Sequence, residues 1–77
     1  MRIIKTSSYN HITITYFELN LKYIIKFEYS GMEQTYKLDK LEYIDFSDLE
    51  AKINNNFMTS IKSRFDDMSS EFKKFYN

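Results

Sequence analysis

The chain has 77 residues, enough for one domain (1–77), and its eleven basic and eleven acidic residues balance, six of each through Asp45 and five of each beyond it. That neutrality argues against both a strongly acidic mimic of nucleic acid and a strongly basic nonspecific binder. With no cysteine and one glycine, it holds no disulfide, thiolate metal site or cysteine nucleophile, and no glycine-rich phosphate loop.

Packing must therefore come from side chains alone, and seven Tyr and seven Phe supply much of the available apolar area. Proline and tryptophan are absent. The N-terminus lacks the apolar run of a signal peptide, and no stretch approaches the roughly 20 apolar residues of a membrane span, so a cytoplasmic location is expected.

The first part of the chain reads as strands. Residues 2–6 make a short first strand, with Ile3 expected opposite Ile14 on the apolar face and residues 7–10 as a connection. From His11 to Tyr16 the apolar residues are even-numbered, whereas from Phe17 to Tyr29 they are odd-numbered. One strand cannot change phase in this way without a bulge, so the alternation predicts two strands, 11–17 and 22–29, with a turn around Glu18 to Leu21. Centring that turn between Leu19 and Asn20 opposes Tyr16 with Tyr23, Ile14 with Ile25 and Ile12 with Phe27.

Ser30-Gly31 suits a two-residue hairpin loop. The resulting fourth strand, 33–38, places Met32 opposite Tyr29, Tyr36 opposite Ile25 and Leu38 opposite Tyr23. On the other face Lys22 meets Asp39, while Glu28 meets Glu33, a conflict that Lys26 can relieve diagonally. The expected sheet is an antiparallel meander of four strands.

Beyond Phe46 the period becomes helical. Ser47-Asp48-Leu49-Glu50 fits a capping box, with Ser47 as N-cap, and apolar residues recur at Leu49, Ile53, Phe57, Ile61, Phe65, Met68, Phe72 and Phe75. The predicted helix spans 48–75. Its four-residue steps from Leu49 to Phe65 drift by about 160°, and a straight helix of that length measures about 42 Å. Asn54-Asn55-Asn56 has the weakest helix propensity, so the sequence leaves two alternatives open: a bend or break at 54–56, or a straight helix with one end projecting past the sheet. The class is α+β.

Candidate chemistry is sparse. His11, the sole histidine, reads as a strand-start residue, and it excludes a two-histidine metal motif. Glu42, Asp45, Asp48 and Glu50 gather at the helix start, where carboxylates are favoured electrostatically. Asp66 and Asp67 diverge by about 100° around a helix and suit a solvated face. No catalytic residue, metal ligand or cofactor site is expected, and the chain reads as non-enzymatic.

Two binding surfaces remain. Thr13, Thr15, Phe17, Lys22, Ile24, Lys26, Thr35 and Lys37 share the second sheet face. Lys22, Lys26 and Lys37 beside Phe17 form a candidate site for single-stranded nucleic acid, through phosphate contact and stacking. For protein binding, the apolar candidates on that face and outside the core are Phe17, Ile24, Tyr43 and Tyr76, with Ile4 and Tyr9 as further exposed candidates. Unguarded sheet edges allow strand addition or homodimerisation. Phe72, Phe75 and Tyr76 suit packing between subunits of a homo-oligomer.

Short, motif-free and single-domain, the chain resembles in general character the small phage-encoded inhibitors, among them the anti-CRISPR proteins. That resemblance implies a protein-binding module that occupies a functional surface of a host nuclease or defence complex. It rests on overall character and carries no residue roles. A small nucleic-acid-binding regulator and a structural homo-oligomer subunit are the alternatives.

Overall fold

The computed structural model describes residues 1–40 and 45–76, Tyr76 through its backbone alone. Four eight-residue strands, β1 (Arg2–Tyr9), β2 (Ile12–Leu19), β3 (Lys22–Tyr29) and β4 (Met32–Asp39), form one antiparallel sheet in the order β1-β2-β3-β4. Two helices follow, α1 (Phe46–Lys52) and α2 (Asn55–Tyr76). The class and the meander are those expected.

Two-residue turns join the strands, and their chemistry sets the register. Asn10 and His11 both adopt positive φ (47° and 69°), as do Ser30 and Gly31 (49° and 78°), the combination a type I′ hairpin requires. A Cβ on Gly31 would meet nothing within 4 Å, so its glycine is needed for backbone conformation and not for space. At the middle turn only Asn20 is left-handed (φ 56°).

That last fact corrects the expected β2–β3 register. Leu19 pairs with Lys22, Tyr16 with Ile25 and Ile14 with Phe27, so the turn is centred between Asn20 and Leu21. Both registers keep the same residues on the same face, so alternation cannot separate them. Turn strain can: the expected register puts Leu19 into the turn's first position, whereas the observed one gives the left-handed conformation to asparagine, which tolerates it.

β1 also departs from expectation. It runs on to Tyr9, Ser7 lies opposite Ile14, and Ile3 pairs with Phe17. His11 is consequently a turn residue and not the start of a strand. A register shift between Ile3 and Lys5 inserts Ile4 as an extra residue. Ile4 then packs against the core, while Ile3, expected inside, is 61% exposed. The β3–β4 register is the expected one throughout, and Lys26 reaches Glu33 at 3.2 Å.

Both helices pack on one sheet face. The buried core joins Ile12, Ile14 and Tyr16 of β2 and Tyr23, Ile25 and Phe27 of β3 to Leu49, Met58, Ile61 and Phe65 of the helices. Phe46 sits edge-on to Tyr16 (centroids 5.1 Å apart) and beside Tyr23 (6.2 Å). Helix α1 accordingly begins at Phe46, with Asp45 at the N-cap position and no side-chain cap bond. The expected capping box does not form: Ser47 lies inside the helix, and Glu50 pairs with Lys5 of β1.

The helix breaks at Ile53 and Asn54. Ile53 leaves helical geometry (φ −86°, ψ 68°), and Asn54 Oδ1 accepts the Phe57 N–H at 3.0 Å, which caps α2. The break also resets the phase of the apolar stripe. Met58, absent from the expected stripe, is fully buried, and Phe57 turns partly outward.

One polar link fixes α2 over the sheet. Gln34 lies on the core face opposite Phe27 and donates from Nε2 to the Ile61 carbonyl at 3.1 Å, while its Oε1 accepts the Tyr36 hydroxyl at 2.7 Å. At about 1.5 Å per residue the 22 residues of α2 measure about 33 Å, more than the roughly 27 Å of an eight-residue strand. The C-terminal turns run past the sheet, and the longest extent is 46 Å against 25 and 19 Å.

Candidate functional site

The second sheet face brings some of the expected residues together. Phe17 and Ile24 are direct cross-strand partners, Ile24 faces Lys37 on its other side, and Lys22 and Lys26 flank it along β3. Ile24, expected as an exposed candidate, is only 7% exposed. Phe17 is half-buried. Lys26 is bonded to Glu33 and Lys22 is opposite Asp39, so two of the three candidate nucleic-acid lysines face a carboxylate.

Tyr43 and Glu42 lie outside the described residues, and Tyr76 ends α2 with only its backbone described. The four protein-binding candidates therefore do not form one described surface. Tyr9 and Ile4, expected outside, both pack against the core. The acids at the start of α1 do not converge, and among the described residues no three metal-ligating side chains group together.

Electrostatic shifts are few and structural. Glu18 accepts from Lys40 (2.5 Å) and from Arg2 (2.7 Å), and these cations, Lys40 first, hold its carboxyl below the usual carboxylate range. Lys62 lies over the Tyr29 ring at 4.3 Å and donates to its hydroxyl and to Asp66, which raises the ammonium. Burial, then the Glu50 charge, pushes the Tyr16 hydroxyl up.

A cleft of about 360 Å³ opens where the helix break meets β4. Tyr36 and Leu38 of β4 form one wall, and Leu49, Ile53 and Phe57 form the other. Lys52 and Arg64, both exposed, stand at its rim. The Arg64 guanidinium donates to the Tyr36 hydroxyl at 3.4 Å, which in turn donates to Gln34, so a chain of polar contacts runs from the rim to the buried Ile61 carbonyl.

β4 borders this cleft and is an edge strand. The Ser30-Gly31 turn makes Tyr29 and Met32 the first mutually bonded pair, and the Lys40 N–H to Leu21 carbonyl bond (2.9 Å) continues the same alternation. Glu33, Thr35, Lys37 and Asp39 consequently turn their N–H and C=O groups outward, and among the described residues no strand pairs with them. Sequence reasoning identified unguarded edges but missed the cleft. Its walls meet only because the chain breaks between α1 and α2.

No family model, curated protein or solved structure matches the chain. Among the described residues no helix is long and apolar enough to cross a membrane.

Proposed function

We propose that this chain is a non-enzymatic protein-binding module that takes an extended segment of its partner along β4. The carrying observation is the juxtaposition of the outward-facing β4 backbone with the apolar cleft beneath it. Backbone pairing supplies affinity in strand addition, and pockets under alternate side chains supply selectivity. The cleft fits one large apolar side chain, and the Lys52 and Arg64 rim favours a neighbouring carboxylate. Inhibition of a host nuclease or defence complex in the cytoplasm is the finer role that the sequence character favours.

The second sheet face supports the nucleic-acid alternative less well, because Lys22 and Lys26 already face acids. A single substitution separates the two. Thr35→Pro removes an outward N–H on an edge strand while sparing the β3–β4 ladder. With the protein as bait in nuclease-treated extract, one stoichiometric protein should be retained by the wild type and by a Lys22, Lys26, Lys37→Gln triple variant, and lost by Thr35→Pro and Arg64→Glu. Retention by both cleft-side variants would overturn the site. Recovery of nucleic acid alone, abolished by the triple variant and by salt, would favour the regulator.

A further inference from the structure

The two edges of the sheet, β1 and β4, differ in what they offer a neighbouring strand. The bulge at Ile4 interrupts β1, and the outward residues beyond it, Thr6 and Ser8, are uncharged. β4 pairs with β3 without a register shift, and its outward residues Glu33, Thr35, Lys37 and Asp39 carry both signs of charge on the second sheet face. Lys37 has no ion-pair partner among the described residues, and Glu33 lies opposite Glu28 with Lys26 to relieve the repulsion.

An antiparallel neighbour pairs outward residues with outward residues, so a second copy of β4 has few two-fold registers open to it. Centring the axis on Glu33, Lys37 or Asp39 opposes like charges, centring it on Tyr36 opposes Glu33 with Asp39, and centring it on Gln34 gives no charge its opposite. Leu38 at the centre pairs Lys37 with Asp39 but engages only the end of the strand. With Thr35 at the centre the whole strand is engaged: Glu33 meets Lys37 on both sides of the axis, Thr35 meets its own counterpart, and no like charges are opposed. On the core face the same register sets Met32 of one copy directly opposite Leu38 of the other, a wall of the apolar cleft, and Gln34 opposite Tyr36.

We infer that β4 pairs with β4 of a second copy, antiparallel about Thr35, in one continuous sheet with the helices of both copies on the same face. About six backbone hydrogen bonds through residues 33, 35 and 37 join the copies. Lys37 of each copy brings a second cation to the Glu28 and Glu33 pair of the other. The inference rests on the open β4 edge that the proposed function also uses, and it adds a competitor there, since a second copy and a partner segment exclude each other. A single strand pair falls short of the roughly 1,200 Å² of a stable interface. The exposed Arg64 of each copy also stands on the core side of this edge, like charge towards like. The dimer is accordingly weak, and at about 10 µM the chain is a monomer with β4 free.

Sedimentation of the full chain from about 10 µM to about 1 mM should show its mass rise from one copy towards two. Thr35→Pro removes the outward N–H at the centre of the pair and should hold the chain monomeric. Lys37→Glu alone and Glu33→Lys alone each make both attractive pairs repulsive, and each should weaken association by about tenfold with the circular dichroism unaltered. Opposite charges meet again in an equimolar mixture of these two variants and in the Glu33→Lys, Lys37→Glu double variant, and both should associate as the wild type does. A wild type still monomeric at about 1 mM would overturn the inference. So would association that Thr35→Pro or the single charge variants leave intact, or a mixture no tighter than its components. Partner capture at about 10 µM, where the chain is monomeric, tests the proposed function separately, so that either can fail alone.

Discussion

The two halves of α2 have the same periodic apolar sequence and opposite surroundings. Met58, Ile61 and Phe65 lie against the core of β2 and β3 and are closed from water, whereas on the same stripe Phe72 reaches only the Ser30–Met32 turn and Phe75 is 81% exposed. A continuous hydrophobic stripe therefore does not by itself identify a core. What decides is the length of the surface opposite it, and an eight-residue strand ends before a 22-residue helix does. The first half holds the fold together, and the second leaves its aromatic rings largely open to solvent.

Truncation sharpens this contrast most. Phe65→Ala should destabilise the protein by about 3–5 kcal/mol in urea unfolding, through lost transfer energy and a residual cavity, whereas Phe75→Ala should stay within about 0.5 kcal/mol in the monomer. Equal losses at the two sites would show that the end of α2 is also covered in the folded chain.

Gln34 is the polar counterpart of that buried half. Gln34→Ala should cost about 1–3 kcal/mol, because it removes the link to α2 and leaves the half-buried Tyr36 hydroxyl without its acceptor. It should also loosen Arg64 at the rim of the cleft. A crystal structure of the variant, with Arg64 and Tyr36 unmoved, would contradict that connection.

At the other end of the helix, Asn54→Ala should cost about 1 kcal/mol by removing the side-chain cap. Its larger consequence concerns the site. Alanine favours helix through the break, so α1 and α2 should tend to merge, and the cleft lined by Leu49, Ile53 and Phe57 should change shape. Partner binding should fall more than stability does, as measured by comparing affinity with the urea midpoint.

The smallest effect is electrostatic. Because Lys40 and Arg2 lower the Glu18 pKa in the folded protein, their contribution is present above the unfolded value and is lost as pH falls through the lowered folded one. Melting temperatures of the wild type and Glu18→Gln should differ slightly at neutral pH and converge in acid. Divergence on acidification would contradict this assignment.

These contrasts separate what sequence pattern can and cannot convey. Alternation at Ile12, Ile14 and Tyr16, and again at Tyr23, Ile25 and Phe27, identifies the core face because burial acts on every second residue. It is blind to a slide of partners by two positions, so the place of Asn20 in its turn had to settle the β2–β3 register. Thr6, Ser7 and Ser8 carry no apolar rhythm, which hid the second half of β1 and the bulge at Ile4. The asparagine run marked the weakest helical stretch but left open whether the helix breaks there, and the new phase that buries Met58 depends on tertiary packing. The cleft was illegible for the same reason: its walls come from three elements, and neither Arg64 nor Tyr36 signals the other in the chain.

The most direct test of the central claim is amide hydrogen exchange on the protein with and without its captured partner. Alone, the outward amides of Glu33, Thr35, Lys37 and Asp39 should exchange rapidly, and those of Gln34, Tyr36 and Leu38, bonded to β3, slowly. Strand addition predicts that the outward set becomes protected in the complex. Protection confined to β1 or to the second sheet face, with the outward β4 amides still exchanging freely, would contradict it.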